Sequence, residues 1–148
     1  MLAIVRPDSW NLPLFLHVFG AMVLMGGLLG SALALLLGRG APFLPGLGFR
    51  LLLLVTLPGY VLMQVGAEWL ASKESLGGDD DPAWFVIGFV TADVGAVVLL
   101  ASLILSGIGA RRGRTGGGAG LVRAAGVLAG ILLVVFAVTL WAMATKPA

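Results

Sequence analysis

Four uninterrupted apolar runs decide what this chain can become. They cover roughly Trp10–Leu37, Phe49–Ala71, Pro82–Ala110 and Leu121–Thr145. At about 1.5 Å of helical rise per residue, each is long enough to cross a hydrocarbon core of about 30 Å. Inside lipid every backbone polar group must find its partner within the protein, which leaves helices or closed barrels, and runs of this length argue for helices. The rest of the composition agrees. Of 148 residues, 59% are hydrophobic and only 11% charged, and the mean hydropathy is +1.09. A water-soluble domain of this size has too much surface to hide so many apolar side chains. The first run exceeds the length of a signal-peptide core and no A-x-A cleavage pattern follows it, so it is expected to stay as a membrane anchor. The expectation is a single integral-membrane domain over 1–148: an all-α four-helix transmembrane bundle in contact with the lipid bilayer.

The connectors carry loop chemistry: Gly38–Gly46, Ser72–Asp81 and Arg111–Gly118 are short and rich in Gly, Pro, Ser and charged residues. Short links predict antiparallel, up-down neighbours. Arg39, Arg50, Arg111, Arg112, Arg114 and Arg123 flank the first and third connectors, against Arg6, Lys73 and Lys146 on the other side. The positive-inside rule then places both termini outside. Trp10, Trp69, Trp84 and Trp141 all fall at the ends assigned to the outer side, as expected of an interfacial aromatic belt.

Small residues four apart predict where helices meet. Gly26 with Gly30 and Ala34, Gly27 with Ser31, and Gly126 with Gly130 are such stripes, which let backbones approach where no hydrophobic force drives helices together. Pro58 inside the second run removes one backbone donor and predicts a kink near Thr56–Tyr60.

Polar side chains inside such runs need partners. Measured inward from the tryptophans, His17 lies at about 10 Å, Gln64 at about 7 Å, and Tyr60 and Asp93 at about 13 Å, with Thr139 about one turn in. Tyr60, Gln64 and Glu68 share one helix face at spacings of four. These residues predict a polar pocket opening outward, in which His17 and Asp93 could pair and titrate as a unit.

His17 is the only histidine. Four roles fit it: a structural hydrogen bond between helices, a proton relay, an axial haem ligand, or a copper ligand. A bis-His haem within one chain is excluded by count, leaving Met22, Met25, Met63, Met143 or a second protomer for the other axial position. For copper, Met22 and Met25 sit roughly 140° and 80° round the helix from His17, so they do not converge on it alone.

Other features exclude whole classes. There is no cysteine, hence no disulfide, thiolate metal site or cysteine nucleophile. No catalytic set emerges, which points away from an enzyme. Basic residues beside apolar runs, with a net charge of only +2, give no nucleic-acid surface. Asp79-Asp80-Asp81-Pro82 reads as a solvated cap for the third helix. Arg111-Arg112-Gly113-Arg114 reads as a topology signal able to touch anionic lipid. Gly116-Gly117-Gly118 lacks the Lys-Ser/Thr and preceding strand of a phosphate loop.

Leu16-His17-x-x-Gly20-Ala21-x-x-x-x-Gly26-Gly27, with Trp141-x-Met143-x-x-Lys146-Pro147 at the other end, resembles small bacterial inner-membrane proteins related to the copper-resistance protein D (CopD) type. The nearest likeness is to a four-helix branch of unknown function. Leu24 stands where that branch has Trp. The resemblance implies a bacterial inner-membrane location and copper handling at His17. Two functions are therefore expected as alternatives. One is a non-enzymatic membrane protein that binds or passes a small ligand, metal or proton. The other is an accessory subunit that self-associates or docks on a larger membrane complex.

Overall fold

The computed structural model describes residues 8–76 and 81–145, with Arg39 by its backbone alone. Arg6, Asp79, Asp80, Lys146 and Pro147 lie outside the described residues. Everything described is helix or connector. After a 3-10 turn at Asp8–Trp10, α1 spans Asn11–Leu36. α2 is the continuous helix Leu44–Glu74, α3 is Ala83–Gly113 and α4 is Ala119–Thr145. All four are long and apolar enough to cross a membrane.

α2 begins at Leu44, ahead of the apolar run from Phe49, and Gly48 in its first turns packs against α1. A Cβ on Gly48 would strike the Leu35 side chain of α1, and Pro45 occupies the first turn, where its missing N–H is not needed. The effect of Pro58 appears as a change of helix type. α2 is α-helical over Leu44–Leu51 and Leu57–Glu74, with a π turn at Leu52–Thr56 between them. In that wide turn the Leu57 N–H reaches back to the Leu52 carbonyl, and the Thr56 hydroxyl donates to the Leu51 carbonyl at 3.1 Å. Such turns absorb a local mismatch in the backbone ladder. At the other punctuation, Pro82 caps α3, its carbonyl accepting from the Phe85 and Val86 amides.

α1 packs along α2, α3 packs along α4, and α1 joins the two pairs by packing on α4. α2 and α3 touch mainly through Leu44–Leu51, and the length of α2 after Pro58 scarcely meets α3. The helices share one core in which Leu24, Leu28, Leu35, Leu52, Leu99, Leu132 and Phe136 are buried. Large apolar side chains such as Phe15, Met22, Val97, Ile104 and Val134 face outward, which in hydrocarbon is a match of solvent rather than a liability.

The α1–α2 contact is backbone against backbone. A Cβ on Gly20 would run into the Met63 amide and the Gly59 carbonyl, one on Gly27 into Thr56, and one on Gly59 into the Leu24 amide. The stripes expected from spacing pack only in part. Gly126 meets Leu35 and Leu36 of α1, and Gly30 meets Leu51, but a Cβ on Gly26 or on Gly130 would find nothing within 4 Å. The buried arc of α1 runs through Gly20, Leu24, Gly27, Leu28 and Ser31, one position round from Gly26. Ser31 donates to the Gly27 carbonyl at 2.6 Å. Between α3 and α4 the buried Ser102 hydroxyl donates to the Ala125 carbonyl at 2.8 Å.

Two stability outcomes follow. Gly20→Leu forces α1 from α2 and lowers stability by about 3 kcal/mol, whereas Gly130→Leu changes it by less than about 0.5 kcal/mol, both read from unfolding in detergent. Ser102→Ala loses one interhelical hydrogen bond and costs about 0.6 kcal/mol in the same measurement. Equal losses for the two glycine variants would contradict the packing described.

Candidate functional site

The site starts from one close approach. Gly66 on α2 has no side chain, and a Cβ there would collide with the His17 backbone and the Pro13 carbonyl. With that space free, α1 lies against α2 and the His17 ring reaches over it. His17 Nδ1 is 3.0 Å from the Met63 carbonyl oxygen. A carbonyl only accepts, so Nδ1 carries the proton and donates. In the neutral ring this leaves Nε2 as an unprotonated acceptor or ligand, oriented by its own ring's hydrogen bond in the manner common for metal-binding histidines. Nε2 has no hydrogen-bond partner among the described residues.

His17 lines a cleft of about 60 Å³ to which all four helices contribute. α1 supplies His17, Ala21, Leu24 and Met25, and α2 supplies Met63, Gln64 and Ala67. Gly88, Phe89 and Ala92 come from α3, and Phe136, Thr139, Leu140 and Met143 from α4. The cleft exists because the later part of α2 stands away from α3. Gly88 is a second glycine set by the site, since a Cβ there would occupy the place of Met143 Cε. Thr139 Oγ1 donates to the Val135 carbonyl at 2.9 Å and lies 3.2 Å from Thr91 Oγ1. The walls are largely apolar. Their side-chain heteroatom groups are one imidazole, one amide, one hydroxyl and three thioethers among the described residues.

The polar residues expected at this level separate. His17, Gln64 and Thr139 share the cleft. Tyr60 is half-buried and its hydroxyl donates to the Ala92 carbonyl at 3.1 Å, which ties α2 to α3. Glu68 is exposed, with its carboxylate 3.5 Å from Gln64 Nε2. Asp93 is exposed on α3 and does not line the cleft. The side-chain hydrogen bond of His17 goes to Met63, not to Asp93. Among the described residues no carboxylate lines the cleft, and no three His, Cys, Asp or Glu side chains come together. The methionines also divide. Met22 is exposed, while Met25, Met63 and Met143 border the cleft with His17. Spacing along one helix hid this grouping, because the three methionines come from three different helices. Gly66 and Gly88, single glycines inside apolar runs, were the available signal of a close approach.

Comparison with protein-family models, with curated proteins and with solved structures finds no match.

Proposed function

We propose that this chain is a non-enzymatic, multi-pass protein of the bacterial inner membrane, with antiparallel helices and both termini outside, that takes up a small soft ligand at His17. A monovalent soft metal ion of the Cu(I) type is the ligand the donors suit best. The observation that carries this reading is the convergence of His17, its Nδ1 engaged by the Met63 carbonyl, with Met25, Met63 and Met143 on one cleft. Imidazole and thioether together favour Cu(I) over harder cations. The volume also discriminates. About 60 Å³ suits a desolvated ion and is far below the roughly 300 Å³ at which pockets hold drug-sized molecules, so a haem macrocycle does not fit the cleft as it stands. His17 Nε2 and the three sulfur atoms are the groups that would hold the ion. Phe89 and Phe136 would keep water from it.

A second reading has its own support. Asp93 is exposed about 13 Å inward of Trp84 along α3, and a carboxylate facing hydrocarbon at that depth is costly unless another group covers it. This favours an accessory subunit whose α3 face meets a helix of a larger membrane complex. Asp93→Leu would then release the partner while leaving ligand uptake at His17 intact.

Ag(I), a redox-stable stand-in for Cu(I), tests the first reading on detergent-purified protein. The wild type takes up about one equivalent, and His17→Ala weakens uptake by about tenfold or more, while Met22→Leu leaves it unchanged. No uptake by the wild type, or equal uptake by His17→Ala, rejects it. Because the chain has no cysteine, orientation is testable with single cysteines. An impermeant maleimide labels Ser72→Cys from outside in intact cells and labels Thr115→Cys only after lysis.

A further inference from the structure

A second cleft, of about 1180 Å³, lies where the end of α1, the start of α2, the end of α3 and the start of α4 come together. Arg50, Arg111, Arg114 and Arg123 line it, and all four are exposed. Among the described residues no Asp or Glu lines it. The connector makes this grouping possible. Gly116 and Gly118 adopt positive φ of 87° and 92°, which turns the chain back after α3 and brings Arg123 of α4 to the same cleft as Arg114. A Cβ on Gly118 would meet the Gly109 carbonyl at 2.6 Å, so the turn closes directly onto α3.

The walls behind the arginines are apolar. Leu36, Leu47 and Phe49 line them, and the Phe49 ring sits where a Cβ on Gly107 would be 3.0 Å from its Cε2. Four like charges around one cleft repel unless an anion joins them, and the planar fork of guanidinium matches phosphate. A free phosphate would leave the apolar walls bare. A ligand that meets both is an amphiphile with its phosphate among the arginines and its chains along the helix faces. The ends of membrane-crossing helices are also the level at which lipid headgroups lie.

We propose that Arg50, Arg111, Arg114 and Arg123 bind the headgroup of an anionic glycerophospholipid whose acyl chains lie against Leu36, Leu47 and Phe49. Arg112 provides an internal control. It is exposed in the same basic run but does not line the cleft, so a general attraction to negative surfaces would use it equally.

The test is native mass spectrometry of the full chain released from detergent, titrated with phosphatidylglycerol or phosphatidylcholine. The wild type retains phosphatidylglycerol in preference to phosphatidylcholine. Arg50→Gln and Arg123→Gln each weaken that retention by about fivefold, and Arg112→Gln leaves it within about twofold. Equal retention of the two lipids, an Arg112→Gln effect as large as that of Arg50→Gln, or displacement of the lipid by millimolar inorganic phosphate overturns the proposal. A measurement on the wild type alone guards against variants that fail to fold. A phosphatidylglycerol carrying a photoreactive acyl chain is expected to crosslink to peptides containing Leu36, Leu47 or Phe49, and crosslinks confined to other faces reject the site.

Discussion

The close approach of α1 and α2 is the contact on which the rest of the structure depends. Its core is backbone on backbone. Gly20 lies over Met63 and Gly59, Gly59 over Leu24, and Gly66 beneath His17. In lipid, burial from hydrocarbon offers little drive for helix association, so dispersion between closely packed backbones and a few interhelical hydrogen bonds carry it. The same approach that joins the helices also sets the chemistry. It brings the Met63 carbonyl within reach of the His17 ring, and in the neutral ring that hydrogen bond puts the proton on Nδ1 and turns the lone pair to Nε2. The packing and the hydrogen bond of His17 are therefore one consequence of glycine on the facing helix.

A second constraint separates the two ends of the bundle. The first part of α2 meets α3, and after the π turn the same helix departs from it. Where α2 and α3 part, the imidazole and three thioethers border a small apolar cleft with no acid among its described residues. Where they meet, the connectors bring together four arginines, again with no described acid beside them. The two clefts differ in size, charge and the hardness of their donors. The two proposed ligands, a small soft ion at one end and an anionic amphiphile at the other, rest on that difference.

Much of the architecture was legible in hydropathy and length, since a run too apolar for water and too long for a strand leaves one regular solution. The four helices long and apolar enough to cross a membrane follow from that. Their ends were less legible. Pro45, Gly46 and Gly48 have the composition of a loop, yet they start α2: Pro45 sits in the first turn, and at Gly48 Leu35 of α1 fills the space a side chain would need. The glycine spacing marked α1 as a packing helix without saying which arc would pack. Gly26 and Gly27 are neighbours in sequence and about 100° apart on the helix, and only Gly27 meets α2. The polar residues behaved likewise. Depth along each helix placed Asp93 near His17, but depth says nothing of rotation about the helix axis, and Asp93 faces away while Gln64 and Thr139 face the cleft.

By itself, then, the sequence determined secondary structure: four runs of this length and apolarity form helices long and apolar enough to cross a membrane, the form whose backbone is satisfied internally. It also limited the chemistry, with one histidine and no cysteine. Only the tertiary structure decided which side chains meet. Rotation of each helix about its axis is set by shape complementarity between facing helices, a property of pairs that no single helix encodes. That is why Met25, Met63 and Met143, scattered over three helices, come to border one cleft with His17, and why Arg50, Arg111 and Arg123 from three helices, with Arg114 just after α3, come to border another.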